Sequence, residues 1–176
     1  MADLHDIQQR HINLMQLTAE TIGHVLKNVS MEQATTLRDG PEGWTILEIL
    51  GHLRDFDIIF RERAEMMLTQ NHPPLPAYDH EQMAIDKAYN DEDFAYVFDE
   101  FMYSRNKTKA LFENLTSEQW QRSGIHPERG DFSMTDALIQ VSHHDIVHIE
   151  QMTRMLEQEI PGSGALPSDN LTDDTF

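Results

Sequence analysis

The chain has 176 residues, of which 39% are hydrophobic and 25% are charged, a composition typical of a globular domain. Its 31 acidic and 13 basic residues give a formal net charge of -18, which disfavours binding to nucleic acid and to anionic membrane surfaces. There is no cysteine, so disulfides, thiolate nucleophiles and cysteine-based zinc sites are excluded. The chain shows neither a membrane-spanning apolar run nor a secretory signal, which predicts a cytoplasmic protein.

The first predicted element is an amphipathic helix from Asp3 to about Val29, in which apolar residues recur at intervals of three and four. His11 lies on the apolar stripe of this helix. A buried histidine that is hydrogen-bonded to a neighbour is the simpler interpretation of His11, and a metal ligand is the alternative. The following sequence, Ser-Met-Glu-Gln at 30–33, has the form of a capping box and predicts a short helical turn.

A second long helix is predicted from Trp44-Thr45 to about Thr69, because Thr45 and Glu48 have the spacing of a capping box. His52 lies within the apolar stripe of this helix. Arg63 lies on the same stripe, from which it can reach either an anionic substrate or an internal carboxylate.

The remaining elements follow a proline-rich segment at 71–77, which cannot be helical and predicts a long crossover. A short helix is expected from Glu81 to Tyr89, and a third long helix, with an aromatic packing face, from Asp91 to Asn114. A loop that contains glycine and proline extends to Asp131. A fourth long helix is predicted from Ser133 to Glu159, and residues 161–176 form a polar tail expected on the surface or disordered.

The two halves of the chain resemble each other. In each half a Glu-Gln pair (Glu32, Glu118) is followed by an aromatic and hydroxyl pair that opens a histidine-bearing helix. This pattern predicts a duplicated helical hairpin. We therefore expect an all-α protein, a four-helix bundle with crossover connections, in one domain over residues 1–160. The second and fourth long helices would face each other.

A histidine constellation follows from this arrangement. His144 and His148 are four residues apart, so on a helix their side chains lie one turn apart on one face. A facing helix would bring His52 to the same place and complete a three-histidine site with open coordination positions. Imidazole suits zinc, nickel, copper or iron, and Asp55 and Asp145 are candidates to orient the ligand histidines.

Two regions resemble a known family. The sequence GWTILEILGHLRD at 43–55, and the segments GDFSMT at 130–135 and HDIVHIEQ at 144–151, resemble the metal-ligand segments of the DinB/YfiT-like family of metalloenzymes. The resemblance covers residues 4–158. It implies a four-helix bundle, often a homodimer, that holds nickel or zinc through three histidines corresponding to His52, His144 and His148. Characterised relatives include thiol S-transferases that use bacillithiol or mycothiol, and a thiol-dependent isomerase.

Three functions are compatible with these features. The first is a metal-dependent enzyme, a hydrolase or thiol S-transferase, that acts on a small molecule and uses the ion to activate water or a thiol, with a low-molecular-weight thiol as one candidate co-substrate. The second is a non-catalytic metal-binding or interaction bundle, which would need a fourth ligand such as His11. The third is a metal-free bundle with packed histidines. The sequence assigns no catalytic residue beyond the three histidines.

Overall fold

The computed structural model describes residues 3–158, and four long helices account for most of them. The elements in chain order are α1 (Leu4–Leu26), α2 (Met31–Thr36), α3 (Ile46–Thr69), α4 (His80–Asp86), a 3₁₀ turn (Tyr89–Asp91), α5 (Phe94–Glu113), a second 3₁₀ turn (Gln119–Gln121), β1 (Ser123–His126), β2 (Gly130–Ser133) and α6 (Met134–Glu157). The predicted all-α four-helix bundle is confirmed.

Three of the helices begin at capping boxes that are readable in the sequence. Ser30 caps α2 with Gln33, Thr45 caps α3 with Glu48, and Ser133 caps α6 with Asp136. In each box the side chain of the first residue accepts the backbone N–H of the second, whose side chain in turn accepts the backbone N–H of the first. Because these interactions are local, the starts of both histidine-bearing helices lie close to their predicted positions.

The long helices form a ring in which α1 packs on α6, α6 on α3, α3 on α5, and α5 on α1. The predicted contact between the two histidine-bearing helices is therefore present, as α3 against α6. The predicted pairing of the first two long helices as a hairpin is wrong, because α1 makes its main contacts with α6 and α5. The crossover predicted at the proline-rich segment 71–77 is also wrong, because the connection at 70–93 joins the neighbours α3 and α5. The crossovers lie at 27–45 and 114–133.

The loop predicted to extend to Asp131 is instead a β-hairpin. Strands β1 and β2 pair antiparallel, with Ser123 opposite Ser133 and His126 opposite Gly130. The segment after α3 is attached to this hairpin through backbone hydrogen bonds of 2.8 Å from Leu75 to Ile125 and from Ile125 to Pro73. These contacts bring the hairpin beside the end of α3.

The bundle core consists of two apolar clusters, one around Phe60 and Leu138 and the other around Leu50 and Met152. Since the first half of α3 and the second half of α6 belong to the same cluster, these two helices run in opposite directions. Between the clusters lies a layer of buried polar side chains from all four long helices: Thr18, His52, Asp57, Arg105, His144, Asp145 and His148.

Two further predictions concern the ends of the chain and the membrane. Glu159 and the tail at 161–176 lie outside the described residues. Within residues 3–158, no helix combines the length and the apolar character that a membrane crossing requires.

Candidate metal centre

The structure brings together all three histidines that the sequence singled out. The Nε2 atom of His144 lies 3.0 Å from Nε2 of His52 and 3.1 Å from Nε2 of His148. The three residues are only 2%, 6% and 3% exposed for His52, His144 and His148, respectively. Nitrogen ligands about 2.0–2.1 Å from a tetrahedral ion are about 3.3 Å apart, so a small outward movement of the rings fits a divalent metal.

A hydrogen-bond chain fixes the proton of His148. The Gln151 amide nitrogen donates to the Asp39 carboxylate over 2.9 Å, and a carboxylate can only accept. The amide oxygen of Gln151 must therefore face His148, whose Nδ1 lies 2.8 Å away and donates to it. With the proton on Nδ1, the lone pair on Nε2 of His148 points toward the other two histidines, as metal binding requires.

The surroundings also favour a neutral His52. Burial lowers the pKa of His52 well below its ordinary value, and the nearby rings of His144, His148 and His80 lower it further. A histidine binds a metal only in its unprotonated form, so this environment prepares His52 for an ion near neutral pH.

Aromatic side chains hold the imidazoles in place. Phe56 lies one turn after His52 on α3 and stacks on His144, with ring centroids 3.6 Å apart and planes within 2° of parallel. The ring centroid of Trp44, just before α3, lies 4.8 Å from that of His52. Close packing of this kind restricts ring rotation, which keeps the three Nε2 atoms directed at one point.

His11 does not contribute a fourth ligand. Its Nδ1 atom lies 2.7 Å from the Ser142 hydroxyl, and its ring makes an edge contact with His143. The hydrogen bond expected for His11 is confirmed, although the side chain is partly and not fully buried. Among residues 3–158, no fourth histidine, aspartate or glutamate joins the cluster of potential ligand atoms. This weakens the case for a closed, purely structural site.

The prediction that Asp55 and Asp145 orient ligand histidines is wrong. Asp55 accepts hydrogen bonds of 2.6 Å from both Lys87 and Tyr89. Asp145 faces away from the cavity and is bound by Thr18 and by both terminal nitrogens of Arg105. Each carboxylate lies within one helical turn of a histidine in the sequence. In the structure, however, each carboxylate binds side chains of other elements and not a histidine.

Arg105 links the two helices that carry the histidines. It is 1% exposed and lies between two buried carboxylates, Asp57 on α3 at 2.9 Å and Asp145 on α6. It also donates to the backbone oxygen of Met15 on α1. Burial lowers the pKa of Arg105, but the two carboxylates outweigh burial and raise it. The bonds also fix the relative positions of α3 and α6, the two helices that carry the histidines.

The histidine cluster opens into a cavity of about 720 Å³. His144, His148 and Phe56 line its base, and the loops before α3, before α4 and between the strands line its walls. His80 lies at the first residue of α4, with its ring centroid 5.0 Å from that of His52. Arg63 lies in the cavity wall and makes no ion pair with any described carboxylate.

Sequence reasoning missed both Gln151 and His80. Gln151 was part of the motif that carries the family resemblance, and its position three residues after His148 is one helical turn, the signal that could have found it. His80 lies after the proline-rich segment, and its distance from His52 depends on how that segment folds back.

Comparisons with known proteins place these features in a family. The model of the DinB superfamily matches residues 14–152, a range that contains all three histidines. The "Putative metal-dependent hydrolase YfiT" of Bacillus subtilis is 28% identical over 126 residues, which cover 69% of this chain and 70% of the relative. A similarly named protein of Oceanobacillus iheyensis is 26% identical over 147 residues, covering 81% and 83%.

Solved structures show the same fold. The structure of YfiT from Bacillus subtilis, described as a probable metal-dependent hydrolase with an unusual four-helix bundle topology, matches with a TM-score of 0.79 at 21% identity and covers 90% of each chain. A mycothiol-dependent maleylpyruvate isomerase matches with a TM-score of 0.71 at 13% identity, covering 86% of this chain and 63% of the other. With the family model extending over nearly the whole bundle, the chain belongs to the DinB superfamily.

Proposed function

We propose that this protein is a metal-dependent hydrolase that binds a divalent ion through the Nε2 atoms of His52, His144 and His148. The observation that carries the proposal is the convergence of three buried imidazoles, of which those of His144 and His148 line an open cavity. Three protein ligands leave a coordination position for water or substrate, which is the pattern of catalytic zinc sites. The names of the relatives as metal-dependent hydrolases support the same function.

Nickel and zinc are the ions we propose, because the family resemblance implies them and both accept neutral imidazole ligands. A divalent ion at this position supplies Lewis acidity, which lowers the pKa of a coordinated water toward neutrality. Gln151 keeps the proton of His148 on Nδ1, and Phe56 keeps the ring of His144 in its orientation. The cavity walls shield the reacting group of a bound small molecule from bulk water.

Elemental analysis of purified, untagged protein tests the ligand set. We expect about one nickel or zinc per chain in the wild type and in His24→Ala, whose histidine is exposed on α1, and loss of the metal in His52→Ala. The metal-loaded protein should hydrolyse 4-nitrophenyl acetate or a related small ester, and a chelator should abolish this activity. Wild-type protein that binds no ion after incubation with each metal would refute the proposal.

Thiol transfer is the second candidate, and the fold shared with a mycothiol-dependent isomerase supports it. A thiol co-substrate would be deprotonated on binding the ion and could then attack an electrophile. The cobalt-substituted protein distinguishes the two candidates, because thiolate coordination produces a ligand-to-metal charge-transfer band. An absorbance change on addition of bacillithiol or mycothiol supports thiol transfer, whereas ester hydrolysis without such a change supports the hydrolase.

The homodimer and the cytoplasmic location stay predictions. A subunit interface would bury apolar side chains that are exposed on the outer faces of the helices. Among these are Leu17, Ile58, Tyr96 and Tyr103. Light scattering after size-exclusion chromatography gives the molar mass in solution and decides between monomer and dimer.

A further inference from the structure

Two arginines are buried among the described residues, and they differ in whether carboxylates surround them. Arg105 is enclosed by the carboxylates of Asp57 and Asp145. Arg63 is 5% exposed, yet no described carboxylate lies within ion-pair distance of its guanidinium. A buried charge without a counterion is costly, so a protein that retains one commonly uses it to bind a ligand of opposite charge.

The contacts of Arg63 leave hydrogen-bonding capacity unused within the described part of the protein. One terminal nitrogen, Nη2, donates to the backbone oxygen of Pro76 over 2.8 Å. Neither Nε nor Nη1 has a hydrogen-bond partner among the described residues, and Nε is fully buried. The guanidinium carbon lies 5.3 Å from the ring centroid of Phe60 and 5.4 Å from that of Tyr78. These rings fix the orientation of the guanidinium without neutralising its charge.

The electrostatic environment of Arg63 agrees with this geometry. Burial lowers the pKa of Arg63, and the nearby Arg129 lowers it further, while Tyr78 and Glu128 act in the opposite direction. An anion that bound to Arg63 would offset this burial cost and would be held in a partly desolvated site, where charge-assisted hydrogen bonds are strong.

Arg63 lies in the wall of the cavity that the histidines line. Successive distances of 5.3, 4.5 and 3.6 Å lead from its guanidinium to Phe60, from Phe60 to Phe56, and from Phe56 to the ring of His144. The sum of these steps is an upper limit on the distance between the guanidinium and His144. One small organic molecule can therefore contact Arg63 at one end and reach the histidines at the other.

We propose that Arg63 is the binding site for a carboxylate group of the substrate, and that the apolar part of the substrate lies against Phe56 with its reacting group at the histidines. This inference rests on the proposed function, which it deepens by naming the substrate class. A guanidinium is well matched to a planar carboxylate. Acidic side chains at 42, 79, 81 and 128 also line the cavity, so a singly charged carboxylate is favoured over a phosphate dianion.

Binding of hexanoate, measured by NMR titration, tests the proposal without any turnover. We expect hexanoate to bind more tightly than its neutral analogue hexanamide and more tightly than inorganic phosphate. Arg63→Gln should weaken hexanoate binding about tenfold or more, because a charge-assisted hydrogen bond is lost. Arg10→Gln removes the same charge from an exposed residue of α1 that does not line the cavity, and it should change the affinity by less than about twofold.

The same titrations with His52→Ala distinguish binding of the carboxylate to Arg63 from binding to the metal ion. A carboxylate that binds to the ion would lose affinity in His52→Ala and keep it in Arg63→Gln, whereas one that binds to Arg63 would show the reverse. Equal binding of hexanoate and hexanamide by the wild type would overturn the proposal, even if Arg63→Gln did not fold. Phosphate binding as tight as that of hexanoate would overturn the assignment to carboxylates.

Discussion

The position of one proton on His148 is determined by residues outside the histidine cluster. Arg154 pairs with Asp39, Asp39 accepts from the Gln151 amide nitrogen, and the amide oxygen accepts from Nδ1 of His148. The hydrogen bond from Arg154 lowers the pKa of Asp39, and burial raises it. The net shift is downward, so Asp39 is ionised near neutral pH. A charged Asp39 fixes the orientation of the amide and thereby the tautomer of His148.

Replacement of Gln151 by leucine tests this chain. The variant removes the acceptor for His148 Nδ1 at similar volume, so we expect the metal affinity to fall about 10- to 100-fold, the usual effect of losing such a partner. Competition with a chromophoric chelator measures the affinity. Gln9→Leu, on the exposed face of α1, should leave it unchanged. Equal metal affinity in Gln151→Leu and wild type would show that the amide does not orient the histidine.

The histidines could be predicted from the sequence, while their supporting residues could not. Helical spacing places His144 and His148 on one face, and the matching helix and the family resemblance add His52. Gln151 depends on Asp39, which is 112 residues away in sequence. Asp145 was assigned to a histidine because spacing gives the face of a helix, but the buried Arg105 on another helix decides where that carboxylate points.

On α3, the ring of Tyr89 packs directly against the backbone at Gly51, close to the histidine site. A Cβ atom at Gly51 would lie 2.7 Å from the Cγ atom of Tyr89 and 2.9 Å from its Cδ1. The Tyr89 ring is 1% exposed, and its hydroxyl donates to Asp55 over 2.6 Å, so the ring is held at both ends. Glycine at this position allows the 3₁₀ turn to pack directly on α3, beside His52.

Gly51→Ala should therefore destabilise the protein. We expect a loss of about 1–3 kcal/mol in the free energy of unfolding, because Tyr89 must move or strain. Gly23→Ala is the matched control within α1, since its Cβ would lie 3.2 Å from the outer end of the Phe98 ring. Alanine favours a helix by up to about 1 kcal/mol over glycine, so that control should be neutral or stabilising. Urea unfolding compares the two, and equal effects would contradict the packing argument.

Elements were predictable where their signals are local. The capping boxes at Thr45 and Ser133 and the apolar periodicity place the helices within a few residues. The β-hairpin was missed because each strand has only four residues, and its pairing is supported by the distant segment at 73–75. The position of α1 beside α6 was also missed, since helix periodicity does not specify which helix covers an apolar face.

At the scale of the whole molecule, the polar layer divides the core into two apolar clusters. Arg105 on α5 binds Asp57 of α3, Asp145 of α6 and a backbone oxygen of α1, so one side chain contacts the other three long helices. A buried ion group contributes little net stability over an apolar core, but it disfavours alternative helix arrangements that would leave its charges unpaired. The layer thus favours the one register that aligns His52 with His144 and His148.

Removal of the central charge should reveal how strongly the bundle depends on this layer. In Arg105→Met, the carboxylates of Asp57 and Asp145 remain buried without their cation, and we expect a loss of about 3–5 kcal/mol in the free energy of unfolding. Lys109→Met, on the same helix, breaks only the surface pair with Glu113 and should change the free energy by less than about 0.5 kcal/mol. Denaturant unfolding of both variants measures the difference.

The pH dependence of Arg105→Met separates unpaired charge from lost packing. In the wild type, burial raises the pKa of Asp57 and the Arg105 guanidinium opposes that rise. Without the guanidinium, the pKa of Asp57 lies still further above that of the unfolded chain, so the folded variant binds more protons than the unfolded state as the pH falls. The destabilisation relative to wild type should therefore shrink between about pH 7 and about pH 5, because protonation of Asp57 removes one buried charge. A penalty that stayed constant over this range would indicate that Arg105 acts mainly by filling space, and the register of α3 against α6 would then depend on the apolar clusters alone.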